Sequence, residues 1–325
     1  MTTDSNAVTR GMKAKSIKSI IRKKIDGWLN TIEDKDLKEK LSQGVIVTGG
    51  AIASMLVGEP VNDFDIYFRN HDLTLAVAKY CLARFKPKKK SGIKVPLSIH
   101  DDGTRIRVVA KSAGIASESG SDKPYEYFEG SPDERATDYV GEVIDNPEQI
   151  EDVHQETEAK ALATDDEKDK PKHRPVFMTS NAITLSGKIQ LILRFYGEPD
   201  EIHANYDFVH CTNYWRSWDG ELVLRPAALE SLLARELRYV GSKYPICSVV
   251  RLRKFIERGW RVNAGQILKM AMQISELNLR DLKVLEDQLT GVDTAYFVQL
   301  IERLREKDPE KVDSAYLVEI IDRIF

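Results

Sequence analysis

The stretch Val45 to Phe68, VIVTGGAIASMLVGEPVNDFDIYF, limits the possible folds more than any other part of the chain. The β-branched run Val45-Ile46-Val47 stops at Thr48-Gly49-Gly50, which predicts a buried strand breaking into a tight turn with room for a ligand. Ala51 to Val57 has the length and apolar content of a short helix packed on a sheet, closed by Gly58 and Pro60. Asp63 to Phe68 predicts a second strand. Alternation along that strand sends Asp63 and Asp65 to one exposed face while Phe64 and Ile66 enter a core.

Two carboxylates held a few ångströms apart repel unless a cation lies between them. Oxygen ligands on a rigid strand suit Mg²⁺, which keeps several waters and completes its shell with carboxylates and substrate phosphates. Backbone amides at a glycine turn leading into a helix are a site for phosphate. The stretch therefore holds both halves of a metal-nucleotide site. A Gly-Gly pair and an Asp-x-Asp each arise by chance, and an acidic strand start also serves as a solvated edge. The order of strand, turn, helix-length spacer and alternating acids favours the site.

With these motifs the chain resembles the nucleotidyltransferases of the DNA polymerase β type. Their signature is a strand, a Gly-Gly or Gly-Ser turn, a short helix and an Asp-x-Asp or Asp-x-Glu strand. The wording GGAIASMLVGEPVNDFDI is locally most similar to the CCA-adding enzyme and bacterial poly(A) polymerase branch. Ile52-Ala53-Ser54 stands where that branch has Val-Arg-Asp, and Ala51 where other members have Ser, so the resemblance extends to the superfamily and not to CCA addition. It implies an α+β fold, a polymerase β-like mixed sheet with helices followed by an all-helical C-terminal domain. It also implies transfer of a nucleoside monophosphate from an NTP to a hydroxyl, with two Mg²⁺ ions.

In that scheme Asp63 and Asp65 would be catalytic and hold the metal ions. The resemblance calls for a third carboxylate on a neighbouring strand, and Asp207 in Tyr206-Asp207-Phe208-Val209-His210-Cys211 is the best match, ligating one metal and helping to deprotonate the hydroxyl. An Asp flanked by aromatics requires a partner in any case, and capping a turn at an edge strand is the alternative for it. Gly49 and Gly50 would admit backbone amides to the triphosphate. Ser54, Lys188 and Arg194 are the further nucleotide-binding candidates.

The 325 residues, 42% of them hydrophobic, suffice for one large or two ordinary domains. The expected division is an N-terminal tail and helix over 1–43, a nucleotidyltransferase domain over 44–225 and a helical domain over 226–325. Lys13 to Leu29 has Ile17, Ile20, Ile21, Ile25 and Leu29 at helical spacing with lysines between, a surface helix rather than a membrane or RNA arm. Leu73 to Phe85 predicts another helix, and Asp101-Asp102-Gly103 a hairpin turn between two strands. From about 117 to 175 the chain is rich in Glu, Asp, Ser and Pro, which predicts a flexible acidic insertion. Strand character returns at Val176 to Met178, Ala182 to Leu185 and Ile189 to Phe195.

Past Pro226 the pattern is helical. Leu229, Leu232, Leu233, Leu237 and Val240 predict one apolar stripe ended by Gly241, and Val249, Leu252, Phe255 and Ile256 another. Arg235, Arg238, Lys243, Arg251, Arg253, Lys254, Arg258 and Arg261, interleaved with Tyr239, Tyr244 and Trp260, suit either an RNA-gripping surface that stacks bases or a solvated helix face. Residues 292–304 and 312–324 repeat at a period of twenty, Val-Asp-Thr/Ser-Ala-Tyr at the start of each, and predict two amphipathic helices that cap the helical domain or dock a protein.

A net charge of -3 excludes a strongly basic nucleic-acid coat protein. Cys81, Cys211 and Cys247 are too dispersed for a disulfide framework or a metal cluster, and the absence of a long apolar run predicts neither membrane span nor secretion, hence a cytoplasmic protein. The expected partners are an NTP, an RNA 3′ end as acceptor and no membrane. Nucleotidylation of a protein or small molecule is the second enzymatic option. A catalytically inactive scaffold on the same fold, for example a virion-associated protein, is the rival of a different class.

Overall fold

The structure, a computed structural model, describes residues 11–85, 97–110, 172–178 and 181–279, with positions 281, 284 and 288. The expected acidic insertion up to residue 171 and the repeat over 292–324 lie outside the described residues.

The chain is α+β. Helix α1 (Ala14–Leu29) buries Ile17, Ile21, Ile25 and Trp28, one apolar residue per turn on a single stripe. Helix α2 (Lys35–Ser42) starts where the Asp34 carboxylate accepts the Leu37 amide at 3.0 Å. Then follow β1 (Val45–Thr48), α3 (Gly50–Val57) and β2 (Phe64–Phe68). Helix α4 (His71–Arg84) begins two residues before the apolar pattern does, because Asn70 caps it by accepting from Leu73. Strands β3 (Leu97–Asp101) and β4 (Ile106–Ala110) form their own hairpin around the Asp102-Gly103 turn.

Strands β5 (Pro175–Met178), β6 (Ala182–Leu185) and β7 (Ile189–Ile192) make a meander. One helical turn α5 (Pro199–His203), a 3₁₀ turn at Val209–Cys211, and strands β8 (Tyr214–Arg216) and β9 (Leu222–Val223) follow. Seven strands join one mixed sheet in the order β5-β6-β7-β2-β1-β8-β9. β2 lies at its centre, parallel to β7 and antiparallel to β1. Phe64, Ile66 and Phe68 face α1, α3 and α4 in the main core, as the alternation of β2 requires. Tyr67 faces the other way, onto Ile46 and Ile202.

The described helices past Pro226 are α6 (Pro226–Ala234), α7 (Pro245–Glu257) and α8 (Ala264–Ser275). The first departs from its sequence pattern. A helix running to Val240 was expected, but Arg235 takes a left-handed φ of 47° and ends α6 at Ala234. The backbone from 236 to 240 instead bonds to the segments at 207–209 and 261, which leaves Leu233 and Val240 exposed. In α7 Leu252 is buried, whereas Val249 and Ile256, expected inside, are exposed.

The segment Tyr206–Cys211 is also not the strand its composition suggests. Asp207 occupies a bend, Phe208 makes a single bridge to Tyr239, and 209–211 curl into the 3₁₀ turn. Its backbone finds partners across a chain separation of about thirty residues, which no local pattern encodes. Among the described residues no helix is long and apolar enough to cross a membrane.

Candidate metal-nucleotide site

β1 ends and β2 begins at the same end of the sheet, with Val47 paired to Ile66, so Thr48 stands beside Asp65. The chain leaves β1 through Gly49, whose φ of 96° is open to glycine and strained for other residues. A Cβ at Gly49 would lie 2.9 Å from Asp65 Oδ2. At Gly50, the first residue of α3, a Cβ would meet nothing within 4 Å. That open space, in front of a helix start that no side chain caps, is where an anion would meet the first-turn amides.

Residues behind the turn fix it. The Gly49 amide donates to the Cys211 carbonyl at 3.1 Å, so the 3₁₀ turn lies directly against the glycines. The Thr48 hydroxyl faces the Asn213 carbonyl at 2.9 Å, the Cys211 carbonyl at 3.2 Å and His203 Nε2 at 2.8 Å. Its single proton goes to a carbonyl, so His203 donates from Nε2 and leaves Nδ1 as a buried acceptor without a partner. Burial pushes the His203 pKa down to about 3, with Arg225 adding to it, which keeps the ring neutral. The Tyr206 hydroxyl sits beside Tyr67 and Thr48 without a well-formed hydrogen bond. Burial, and next the Asp65 carboxylate, pushes the Tyr67 phenol well up.

Asp207 precedes the 3₁₀ turn by two residues and is 8% exposed. Its Oδ1 accepts the Ser248 hydroxyl at 3.0 Å, and its Oδ2 pairs with the Arg251 guanidinium, both from α7. The Cys211 thiol, at the end of the 3₁₀ turn, is partly buried. Burial first, then Asp65 and Asp207, push it up to about 12.

The expected site residues thus separate into two groups. Gly49, Gly50 and Asp65 sit together, with Asp65 on the face of β2 opposite Phe64 and Ile66, and Asp63 lies one residue before that strand. Lys188 lies at the same end of the sheet, where its carbonyl accepts the Phe64 amide, but its amine donates to the Val61 carbonyl at 3.0 Å. Ser54 is half-buried one turn into α3, past the amides that front the open space. Arg194 lies beyond the other end of β7, buried, stacked against Phe195 and Tyr244 and donating to the Tyr244 hydroxyl at 2.7 Å.

Among the described residues no three His, Cys, Asp or Glu side chains gather as a metal-ligand set. The Asp65 carboxylate at the glycine turn, with Asp63 two residues before it in the chain, nevertheless fits Mg²⁺, whose other ligands come from water and phosphate. Ser248 and Arg251 each donate to one of the two Asp207 oxygens.

The aromatics read as base-stacking are not available for it. Tyr239, Tyr244 and Trp260 are all buried. Much of the basic face is also paired: Arg235 with Glu59 at 2.9 Å, Arg238 with Glu230 at 2.8 Å and Arg253 with Glu257 at 3.0 Å. The residues that sequence reasoning missed are Thr48, His203 and Ser248, and for Arg251 it missed the position. None belongs to a spaced motif, and only folding brings them to the glycine turn.

The model of the family described as "Gabija anti-defense 2 family protein" matches residues 19–235. A curated relative, "Gabija anti-defense 2" of Bacillus phage SPbetaL7, is 20% identical over 123 residues, covering 37% of this chain and 31% of the relative. Among solved structures, the Thermotoga maritima CCA-adding enzyme complexed with tRNA is similar with a TM-score of 0.42 and 12% identity, over 92% of this chain and 54% of that one. The Bacillus stearothermophilus CCA-adding enzyme in complex with CTP gives a TM-score of 0.35 and 12% identity, over 82% and 48%. The chain therefore spans about a third of the curated relative and about half of these enzymes.

Proposed function

The chain belongs to the Gabija anti-defense 2 family, and on that premise we propose that it is a Mg²⁺-dependent nucleotidyltransferase whose activity counteracts a Gabija defence. The observation that supports the chemistry is the placement of Asp65 on β2 beside the Gly49-Gly50 turn and the open start of α3, with Asp63 just before the strand.

In this reading Asp63 and Asp65 bind the cation and through it the nucleotide. Mg²⁺ supplies charge neutralisation and alignment of the attacking and leaving oxygens. The first-turn amides of α3 hold phosphate oxygens, and Gly49 keeps the approach to Asp65 clear. Thr48 and neutral His203 fix the turn from behind, so that its amides are preorganised rather than recruited by the ligand. An acceptor oxygen forms a bond to the α-phosphorus, the bond to the β-phosphate oxygen breaks, pyrophosphate leaves, and the hydroxyl proton passes to solvent.

The acceptor we favour is a hydroxyl on a protein of the defence system. The burial of Tyr239, Tyr244 and Trp260 removes the base-stacking surface that had favoured an RNA 3′ end. The test is incubation with each α-³²P-labelled NTP, Mg²⁺, purified Gabija proteins and cellular RNA, beside the Asp63→Ala/Asp65→Ala variant. Label on a Gabija protein that needs both acids supports the reading, and label on RNA restores the RNA acceptor. No label with any acceptor, together with defence inhibition that survives in the double variant, points to an inactive scaffold instead.

A further inference from the structure

We propose that Gln190 is a third protein ligand of the cation, a neutral oxygen supplied by β7, and that the site takes Mg²⁺ as its complex with a nucleoside triphosphate rather than as the free ion. The inference rests on the nucleotidyltransferase reading and names the form in which its metal arrives. Two acids balance the charge of one Mg²⁺. A third would hold the free ion more firmly but repel the triphosphate, whereas an amide carbonyl adds an oxygen ligand and no charge.

The register of the sheet puts Gln190 beside Asp65. β7 runs parallel to β2, with Phe64 opposite Ile189, Asp65 opposite Gln190 and Ile66 opposite Leu191. Phe64, Ile66, Ile189 and Leu191 all enter the main core, so the two residues between them face the other way. Neighbouring strands lie about 4.8 Å apart, which brings a Gln side chain within reach of an ion held by Asp65. The row continues on both sides. Thr184 of β6 is opposite Gln190, and Tyr214 of β8 is opposite Thr48, the neighbour of Asp65 on β1.

The other members of that row are engaged. Thr184 is buried, Tyr214 packs against His203, and the Thr48 hydroxyl is taken up behind the turn by the Cys211 and Asn213 carbonyls and His203. Gln190 is half-buried, and among the described residues its side-chain amide has no hydrogen-bond partner. Its oxygen is therefore available on the face that carries Asp65. β2 lies between β1 and β7, so Asp65 has the glycine turn on one side and Gln190 on the other.

Calorimetric titration of Mg²⁺ alone, and of the Mg²⁺ complexes of ATP, CTP, GTP and UTP, tests this in wild type, Gln190→Ala, Gln190→Glu and Gln190→Glu/Asp65→Asn. Wild type is expected to bind at least one complex about 10-fold or more tightly than Mg²⁺ alone, and Gln190→Ala to lose about 10-fold in that affinity. Gln190→Glu should gain about 10-fold for Mg²⁺ alone. It should also unfold at a lower temperature than wild type in EDTA, because like charges then face each other across β2 and β7, and recover when Mg²⁺ is added. A damaged fold produces no gain in cation affinity, and loss of the gain in the double variant ties it to Asp65. A gain that persists there overturns the inference. So do affinities within about twofold of wild type in both single variants, or a wild type that holds Mg²⁺ alone as tightly as the complex, and these results leave the nucleotidyltransferase reading standing. Wild type that binds no NTP overturns both.

Discussion

Gly49 and Asp65 approach so closely that a single methyl group on the glycine would stand 2.9 Å from the carboxylate oxygen. Contact and backbone act in the same direction, since Gly49 also holds a φ of 96°. Gly49→Ala is therefore expected to lose about 1–3 kcal/mol of stability and to lose nucleotide binding. Gly50→Ala, whose methyl meets open space, should stay within about 0.5 kcal/mol of wild type. Urea unfolding of the two variants checks this, and equal midpoints would contradict the conformational requirement at Gly49.

Asp63 and Asp65 should make thermal stability depend on Mg²⁺. A ligand present at about 100 times its Kd stabilises the folded state by about 2.7 kcal/mol. Calorimetry with Mg²⁺ and an NTP is expected to show a raised Tm in wild type and none in Asp63→Asn/Asp65→Asn. A shift of equal size in both proteins would locate the cation elsewhere.

His210 is buried in a box of Phe208, Phe255 and Trp260, with centroids 4.4 Å from Trp260 and 4.8 Å from Phe255. Burial pushes its pKa down to about 4. The folded value lies below the unfolded one, so the unfolded chain takes the proton first. Stability is full above the ordinary histidine pKa and falls as pH drops toward 4, by about 1.4 kcal/mol per pH unit for each such histidine. His203 extends the same trend toward 3. Urea unfolding at pH 7.5, 6 and 5 should show this loss, and His210→Phe should flatten it. An unchanged slope in that variant would assign the pH dependence to other groups.

Arg194 and Lys188 should behave as structural residues. Arg194→Met removes the hydrogen bond to Tyr244 and two stacking contacts, and should cost about 1–3 kcal/mol while leaving the ratio of NTP to monophosphate affinity intact. Lys188 has a left-handed φ of 60°, so Lys188→Gly should stabilise the fold by up to about 1 kcal/mol. Chemical denaturation together with nucleotide titration checks both. A selective loss of NTP affinity in Arg194→Met would return that residue to the site.

What the sequence made legible is what short-range patterns encode. The alternation in Phe64–Phe68 and the apolar run before Gly49 identify β1, the turn, α3 and β2, because each depends on neighbours within a few residues. Asp207 was misread because an aromatic and β-branched hexapeptide has strand composition, while its actual partners lie on α7, some forty residues on. Tyr239 and Trp260 among arginines do not reveal which face is covered, and Leu237, Leu252 and Phe208 decide that only after folding. The left-handed bend at Arg235 carries neither Gly nor Asn to announce it.

One small cluster has a consequence for how the molecule can be divided. Ala53 of α3 and Phe208 pack with Leu232, Leu237, Tyr239, Leu252, Trp260 and Met270 in a common hydrophobic core. Ending the chain at residue 225 would strip that cover from the helix that follows the glycine turn and leave the Asp207 carboxylate without Ser248 and Arg251. The sheet and the helices that follow it are therefore one cooperative piece at this seam. Recombination that swaps the helical part for a foreign one must carry over its inward-facing side chains, or the Gly49 end of the sheet comes apart with it.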